Sequence, residues 1–208
     1  AGSFFFFKKY NIINKYMIKD FDKLLDFFIK SLIPETSISV KKGNKIFGAF
    51  ILKKNYDSVC IGTNNEIINP LFHGEVSTII NFFKIKNVNP KDYFFVSSHQ
   101  PCSLCLSAIA WSGFNNFYYL FPYEDTKNSF NIPHDLKILE EIFNIKKGNY
   151  NKSNQYWDSF FIIEEVNKIN DDFTKNTLFQ KIKKINKIYL ELSKKYQKNK
   201  ENNNIPLN

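Results

Sequence analysis

At 208 residues, 43% hydrophobic and 24% charged, the chain has the composition of one globular domain with a short addition rather than of a disordered segment. Its longest apolar stretch, Ile46 to Leu52, falls far short of the roughly 18 residues of a membrane-spanning helix, no signal-peptide pattern opens it, and three cysteines are too few for a disulfide scaffold. The net charge of +9 invites a polyanionic partner, yet all 29 basic residues are Lys, and A/T-rich codons explain an excess of Lys, Asn, Ile and Phe equally well.

Ala1-Gly2-Ser3 reads as a leftover of expression, and residues 1–17, with the Phe4–Phe7 cluster, as an amino-terminal arm. Ile18, Phe21, Leu24, Leu25, Phe28 and Leu32 recur at steps of three and four, which predicts a helix over Ile18–Ile33 stopped by Pro34. Lys45–Leu52 and Asp57–Gly62 flank Lys53-Lys54-Asn55-Tyr56 as a hairpin, followed by a loop over Thr63–Phe72. A helix over His73–Ile85 should turn Val76, Ile79, Ile80 and Phe83 inward. Strands are predicted at Tyr93–Ser97, Asn116–Phe121 and Ser159–Ile163, and helices at Cys102–Ser112 and Leu136–Phe143. A last helix, Thr174–Lys200, carries one apolar seam (Leu178, Ile182, Ile185, Tyr189, Leu192, Tyr196) on an otherwise Lys- and Asn-rich surface. That seam suits docking on the domain or on a partner; a lysine-rich arm tracking RNA is the alternative.

The order α-β-β-α-β-α-β-α-β-α predicts an α/β fold with a parallel core and helices on both faces. Because a helix lies between the fourth and fifth strands, those two should run parallel. The expected division is an arm over 1–17, a domain over 18–166 and a helical extension over 167–208.

Two fragments carry the chemistry: Phe72-His73-Gly74-Glu75-Val76 and Gln100-Pro101-Cys102-Ser103-Leu104-Cys105-Leu106. Singly, each has an ordinary reading: a helix-capping His, a redox pair or two buried cysteines. Together they meet one need. A catalytic zinc site takes three protein ligands and leaves a position for water, and His73, Cys102 and Cys105 supply one imidazole and two thiolates. Both fragments open helices, whose positive ends favour thiolate. Glu75 is then placed to move protons, while Cys60, mid-strand, reads as a buried apolar residue.

His-x-Glu with Pro-Cys-x-x-Cys resembles the signature of zinc-dependent nucleobase deaminases, and the chain resembles the cytidine deaminase-like superfamily over roughly Lys45 to Phe161. It looks most like the branch of guanine deaminases and tRNA adenosine deaminases. The resemblance implies a three-layer α/β/α sandwich around a five-stranded mixed sheet of order 2-1-3-4-5, one Zn2+ per subunit on His73, Cys102 and Cys105, and Glu75 as proton shuttle. It implies transition-state contacts from the backbone N–H groups of Gly74 and Cys102, base contact by Asn64, and a homodimer. It departs from the family in Gly74, where Ala is usual and Gly reads as harmless, and in Gln100, where this branch has Glu. Phe72, Trp111, Phe114 and the segment Tyr123-Glu124-Asp125-Thr126 are further pocket candidates, and Asp135 falls where guanine-type relatives place a base-recognising acid.

The expected function is hydrolytic deamination of a nucleobase or nucleoside, guanine-type ahead of cytosine-type, in the cytoplasm. A tRNA-editing subunit and an idle, zinc-stabilised assembly subunit are the alternatives.

Overall fold

A computed structural model describes residues 17–208 of the chain, so the arm expected over 1–17 lies, Met17 apart, outside the described residues. Five strands form one sheet in the order 2-1-3-4-5: β1 (Gly48–Lys53), β2 (Ser58–Thr63), β3 (Tyr93–His99), β4 (Asn116–Phe121) and β5 (Asp158–Phe161). β1 runs antiparallel to β2 and β3, whereas β3–β4 and β4–β5 are parallel pairs. The parallel last pair follows from the helical connection between its strands, as the sequence implied.

The helices, in chain order, are α1 (Phe21–Phe27), α2 (Ile33–Lys41), α3 (Gly74–Phe82), α4 (Ser103–Trp111), α5 (Tyr123–Asn128), α6 (His134–Phe143), α7 (Ile162–Asn167) and α8 (Asp172–Asn199). They cover both faces of the sheet, which is why the strands are apolar at consecutive positions. Ala49, Ile51, Phe95, Phe117 and Tyr119 meet Ile79 and Phe82 of α3 and Leu106 and Ile109 of α4. The alternate residues Phe50, Leu52, Phe94, Val96, Tyr118 and Leu120 meet α1 and the α8 seam, whose six apolar residues are all buried. α8 is therefore docked on its own domain. Lys181 Nζ reaches Asp22 Oδ1 at 2.7 Å and Asp26 Oδ1 at 2.6 Å, and Ser193 Oγ–H donates to Phe130 O at 2.8 Å.

Four local expectations need correction. Pro34 does not stop the first helical run. A π turn over Phe28–Leu32 joins α1 to α2, and Pro34 sits in the first turn of α2, where its missing N–H is tolerated. The inward face of α3 is Thr78, Ile79 and Phe82, with Ile80 and Phe83 exposed, because Thr78 Oγ1 bonds Ala49 O at 3.0 Å and Gly74 O at 2.7 Å. β5 ends at Phe161, where Ile162 opens α7 instead of extending the strand. The segment at Tyr123, expected only as a pocket candidate, forms the short helix α5.

Candidate metal centre and pocket

The chain brings its chemistry to the starts of α3 and α4. His73 and Cys102 are the residues preceding these helices, both in extended backbone (φ/ψ of −66/160° and −65/172°) and neither capping with its side chain. Each side chain is thereby freed to turn toward the other. His73 Nδ1 stands 3.4 Å from Cys102 Sγ and 3.6 Å from Cys105 Sγ, and the three ligand atoms all lie within 4.8 Å of one another. Nitrogen and sulfur ligands in a zinc tetrahedron stand about 3.6 Å apart, given bond lengths near 2.0–2.1 and 2.3 Å. The set therefore fits zinc, and among the described residues no other trio of His, Cys, Asp or Glu could hold a metal ion. Cys60 is not a fourth ligand: its Sγ faces Thr78 O at 3.6 Å, and burial pushes its thiol up to about 12.

Glu75, 4% exposed, lies against this centre. Ser97 Oγ–H donates to its Oε1 at 2.7 Å, and Cys105 Sγ contacts its Oε2 at 3.2 Å. Burial pushes the Glu75 carboxyl above its ordinary range, and negative charge at Cys102 adds to the effect. Hydrogen bonding from Cys105 and the His73 imidazole hold the Cys102 thiol well below the usual cysteine range against the opposing effect of burial. Burial also disfavours charge on His73, but Cys102, Glu75 and Glu66 outweigh it and push the imidazole up to about 9. The trio thus attracts positive charge, which a divalent cation would supply.

A pocket of about 480 Å³ opens over His73 and Cys102. Its walls are Leu71, Leu104, Ile138, Ile142 and Phe143, closed on one side by Ile205-Pro206-Leu207 from the tail after α8. Asn203 Nδ2 donates to Gly43 O at 3.0 Å and anchors that tail. Asp135 lines the pocket; enclosure pushes its carboxyl well above the ordinary range, and Cys102 adds to the shift.

Other candidates fall elsewhere. Trp111 is 91% exposed and does not line the pocket, because it ends a nine-residue helix whose opening holds the cysteines, six and nine residues back, or about 9 and 13 Å at 1.5 Å per residue. Phe72 lines a separate cavity beside Thr63 and Asn81, and Phe114 is buried between Phe82 and Phe95 in the core. Tyr123 is likewise buried, its hydroxyl donating to Pro101 O. Asn64 is 1% exposed with its amide engaged at both ends: Oδ1 accepts from Gly74 N–H at 2.6 Å, and Nδ2 donates to Glu66 Oε2 at 2.8 Å. Gly74 N–H is committed by the same bond. Gln100 is a brace, accepting from Tyr123 N–H at 3.1 Å and donating to Tyr150 Oη at 3.2 Å.

Ser97, Glu66 and the Ile205–Leu207 tail escaped the sequence reading. Ser97 had one usable signal, a polar residue closing the apolar run Phe94-Phe95-Val96. The other two belong to no motif.

Residues 23–121 match the family model described as the cytidine and deoxycytidylate deaminase zinc-binding region. A tRNA-specific adenosine deaminase of Rickettsia felis is 27% identical over 97 residues, 44% of this chain and 66% of that protein, so the match spans about two thirds of the relative's length. Among solved structures, guanine deaminase from Bacillus subtilis is 23% identical with a TM-score of 0.43, covering 63% of this chain and 98% of its own. Guanine deaminase from Nitrosomonas europaea is 13% identical with a TM-score of 0.45, covering 75% and 81%. Among the described residues no helix is long and apolar enough to cross a membrane.

Proposed function

We propose that this chain, a member of the cytidine deaminase-like superfamily, is a zinc-dependent hydrolytic deaminase that converts an exocyclic amine of a nucleobase or nucleoside to a keto group and releases ammonia. The observation that carries the reading is the meeting of His73, Cys102 and Cys105 around one point with Glu75 beside them. Zinc held by those three residues would supply Lewis acidity and acidify water toward neutral pH.

The remaining chemistry belongs to the chain. Glu75 takes one proton from the attacking water and delivers it to the ring nitrogen, then carries the second, from the new hydroxyl, to the amine as the C–N bond breaks and ammonia leaves. Ser97 holds the Glu75 carboxylate in place. With Gly74 N–H bound to Asn64, the backbone contact to the new oxygen falls to Cys102 N–H. The apolar walls suit a flat base and exclude water from it. Asp135 favours a base bearing N–H donors, guanine-type ahead of cytosine-type. The exposed Leu71, Ile142 and Phe143 at the rim support a homodimer, and free ligand thiols suit a reducing, cytoplasmic setting.

One observation favours a second reading, the same chemistry on a tRNA adenosine. Lys183, Lys184, Lys187, Lys194, Lys195 and Lys198 are exposed along α8, which leads into the tail that lines the pocket. An ammonia-release screen of the zinc-loaded chain over free bases, nucleosides, nucleotides and tRNA tests both. Turnover of small substrates supports the first, turnover of tRNA with strongly salt-dependent affinity supports the second, and no release from any of them contradicts both.

A further inference from the structure

Glu66 is a buried carboxylate to which the chemistry above assigns no part. It lies in the loop between β2 and α3, its side chain 3% exposed, paired with a Lys45 side chain that is 7% exposed. Lys45 Nζ donates to Glu66 Oε1 at 2.7 Å and Lys45 N–H to Oε2 at 3.4 Å, while Asn64 Nδ2 donates to Oε2 at 2.8 Å. Oε1 also stands 4.0 Å from His73 Nε2. The imidazole thus lies between two groups: Nδ1 faces the sulfurs and Nε2 faces this carboxylate.

Stability does not explain the pair. Burying two ions costs several kcal/mol each, and apolar residues of similar volume often serve a fold as well. What the pair does have is position. It joins the lead-in to β1, the loop after β2 and the start of α3, the three segments that orient His73. A metal-binding histidine needs its second ring nitrogen to carry the proton, and a nearby carboxylate favours that tautomer.

We propose that Glu66, held in place by Lys45, is a positioning residue for His73: it keeps the imidazole proton on Nε2 and so turns the Nδ1 lone pair toward Cys102 and Cys105. At 4.0 Å the influence on the ring is through the carboxylate's charge, while the bond to Asn64, and from Asn64 to Gly74 N–H, fixes where α3 begins. The proposal rests on the zinc reading above.

Two variants of the full chain test it. Glu66→Gln removes the charge and keeps the shape; Lys45→Met with Glu66→Gln also avoids stranding a buried ammonium. Zinc affinity is read by chelator competition, and the His73 tautomer by long-range proton–nitrogen NMR. Zinc affinity should fall about 10–100-fold in both variants, with loss of the Nε2–H tautomer and partial rescue by Glu66→Asp. Wild-type affinity and an unchanged tautomer in a folded variant overturn the proposal, and should the double variant fail to fold, Glu66→Gln alone decides by the same two readouts. A wild-type chain that takes up no zinc contradicts the zinc reading itself, whereas zinc uptake without ammonia release leaves Glu66's role standing and contradicts only the deaminase.

Discussion

Gly74→Ala separates two opposed expectations. Helix propensity alone favours Ala over Gly by about 0.8–1.0 kcal/mol, and the resemblance drawn from the motifs points to Ala there as well. The packing says otherwise. A methyl carbon built on Gly74 would stand 2.6 Å from Gly48 Cα, 2.8 Å from Gly48 N and 3.0 Å from the Phe47 carbonyl carbon. All three are backbone atoms at the head of β1, a strand paired on both sides, so none can rotate away. Reaching ordinary contact requires α3 to retreat by about 1 Å, at an overpacking cost of about 2–3 kcal/mol. The net expectation is destabilisation by about 1–2 kcal/mol, or a melting temperature lower by about 2–8 °C in a domain of this size. Because His73 and Glu75 flank the position, zinc affinity should fall with it. Thermal and urea unfolding with zinc competition check both effects. An Ala variant as stable as wild type, with unchanged zinc affinity, would refute the close approach of α3 to β1.

Other outcomes follow from the same structure. Burial holds His99 down to about 3, so below about pH 6.5 the unfolded chain binds a proton that the folded chain refuses. Stability should therefore decline by about 1.4 kcal/mol per pH unit below 6.5, and His99→Phe, which fits among Phe47, Phe121, Phe130 and Tyr189, should reduce that slope in urea titrations. Hydrogen bonds from Lys181 and Lys30 hold Asp26 down to about 2, so its contribution is present above about pH 3.8 and lost as pH falls toward 2. Lys181→Met should shrink that acid dependence of the melting curve, while Lys30 keeps part of it. Trp111→Ala should leave ammonia release unchanged and alter stability by no more than about 0.5 kcal/mol, since the ring touches no part of the pocket. Glu75→Gln should keep its zinc and lose about 10²–10⁴-fold in turnover.

The strands, the parallel last pair and the docked α8 were legible because they rest on patterns in the chain: apolar runs of strand length, a helix between β4 and β5, and a seam along α8. The strand order came only from the resemblance to the deaminase superfamily. The meeting of His73, Cys102 and Cys105 was legible because the three residues lie in two short motifs with fixed spacing. What escaped depends on contacts between distant segments. Pro34 signals a helix stop, and only the π turn before it explains why the run continues. Thr78 rotates the inward face of α3 through a bond to a strand 29 residues away, a constraint that local periodicity does not carry. Gly74, which the resemblance alone reads as a harmless stand-in for Ala, is required by the nearness of Gly48. Asn64 stands where the resemblance implies base contact, but its amide is engaged by Glu66 and Gly74, neither of which the sequence ties to it. Trp111 looked like a pocket aromatic until the length of α4 carried it away.

X-ray absorption at the zinc edge of the loaded chain addresses the metal centre most directly. The account predicts one zinc per chain with one nitrogen and two sulfur ligands, the sulfurs at about 2.3 Å, completed by a single light atom that exchanges with solvent. A site closed by a third sulfur or a second imidazole, or a Cys105→Ser chain that retains zinc with an unaltered ligand shell, would contradict it.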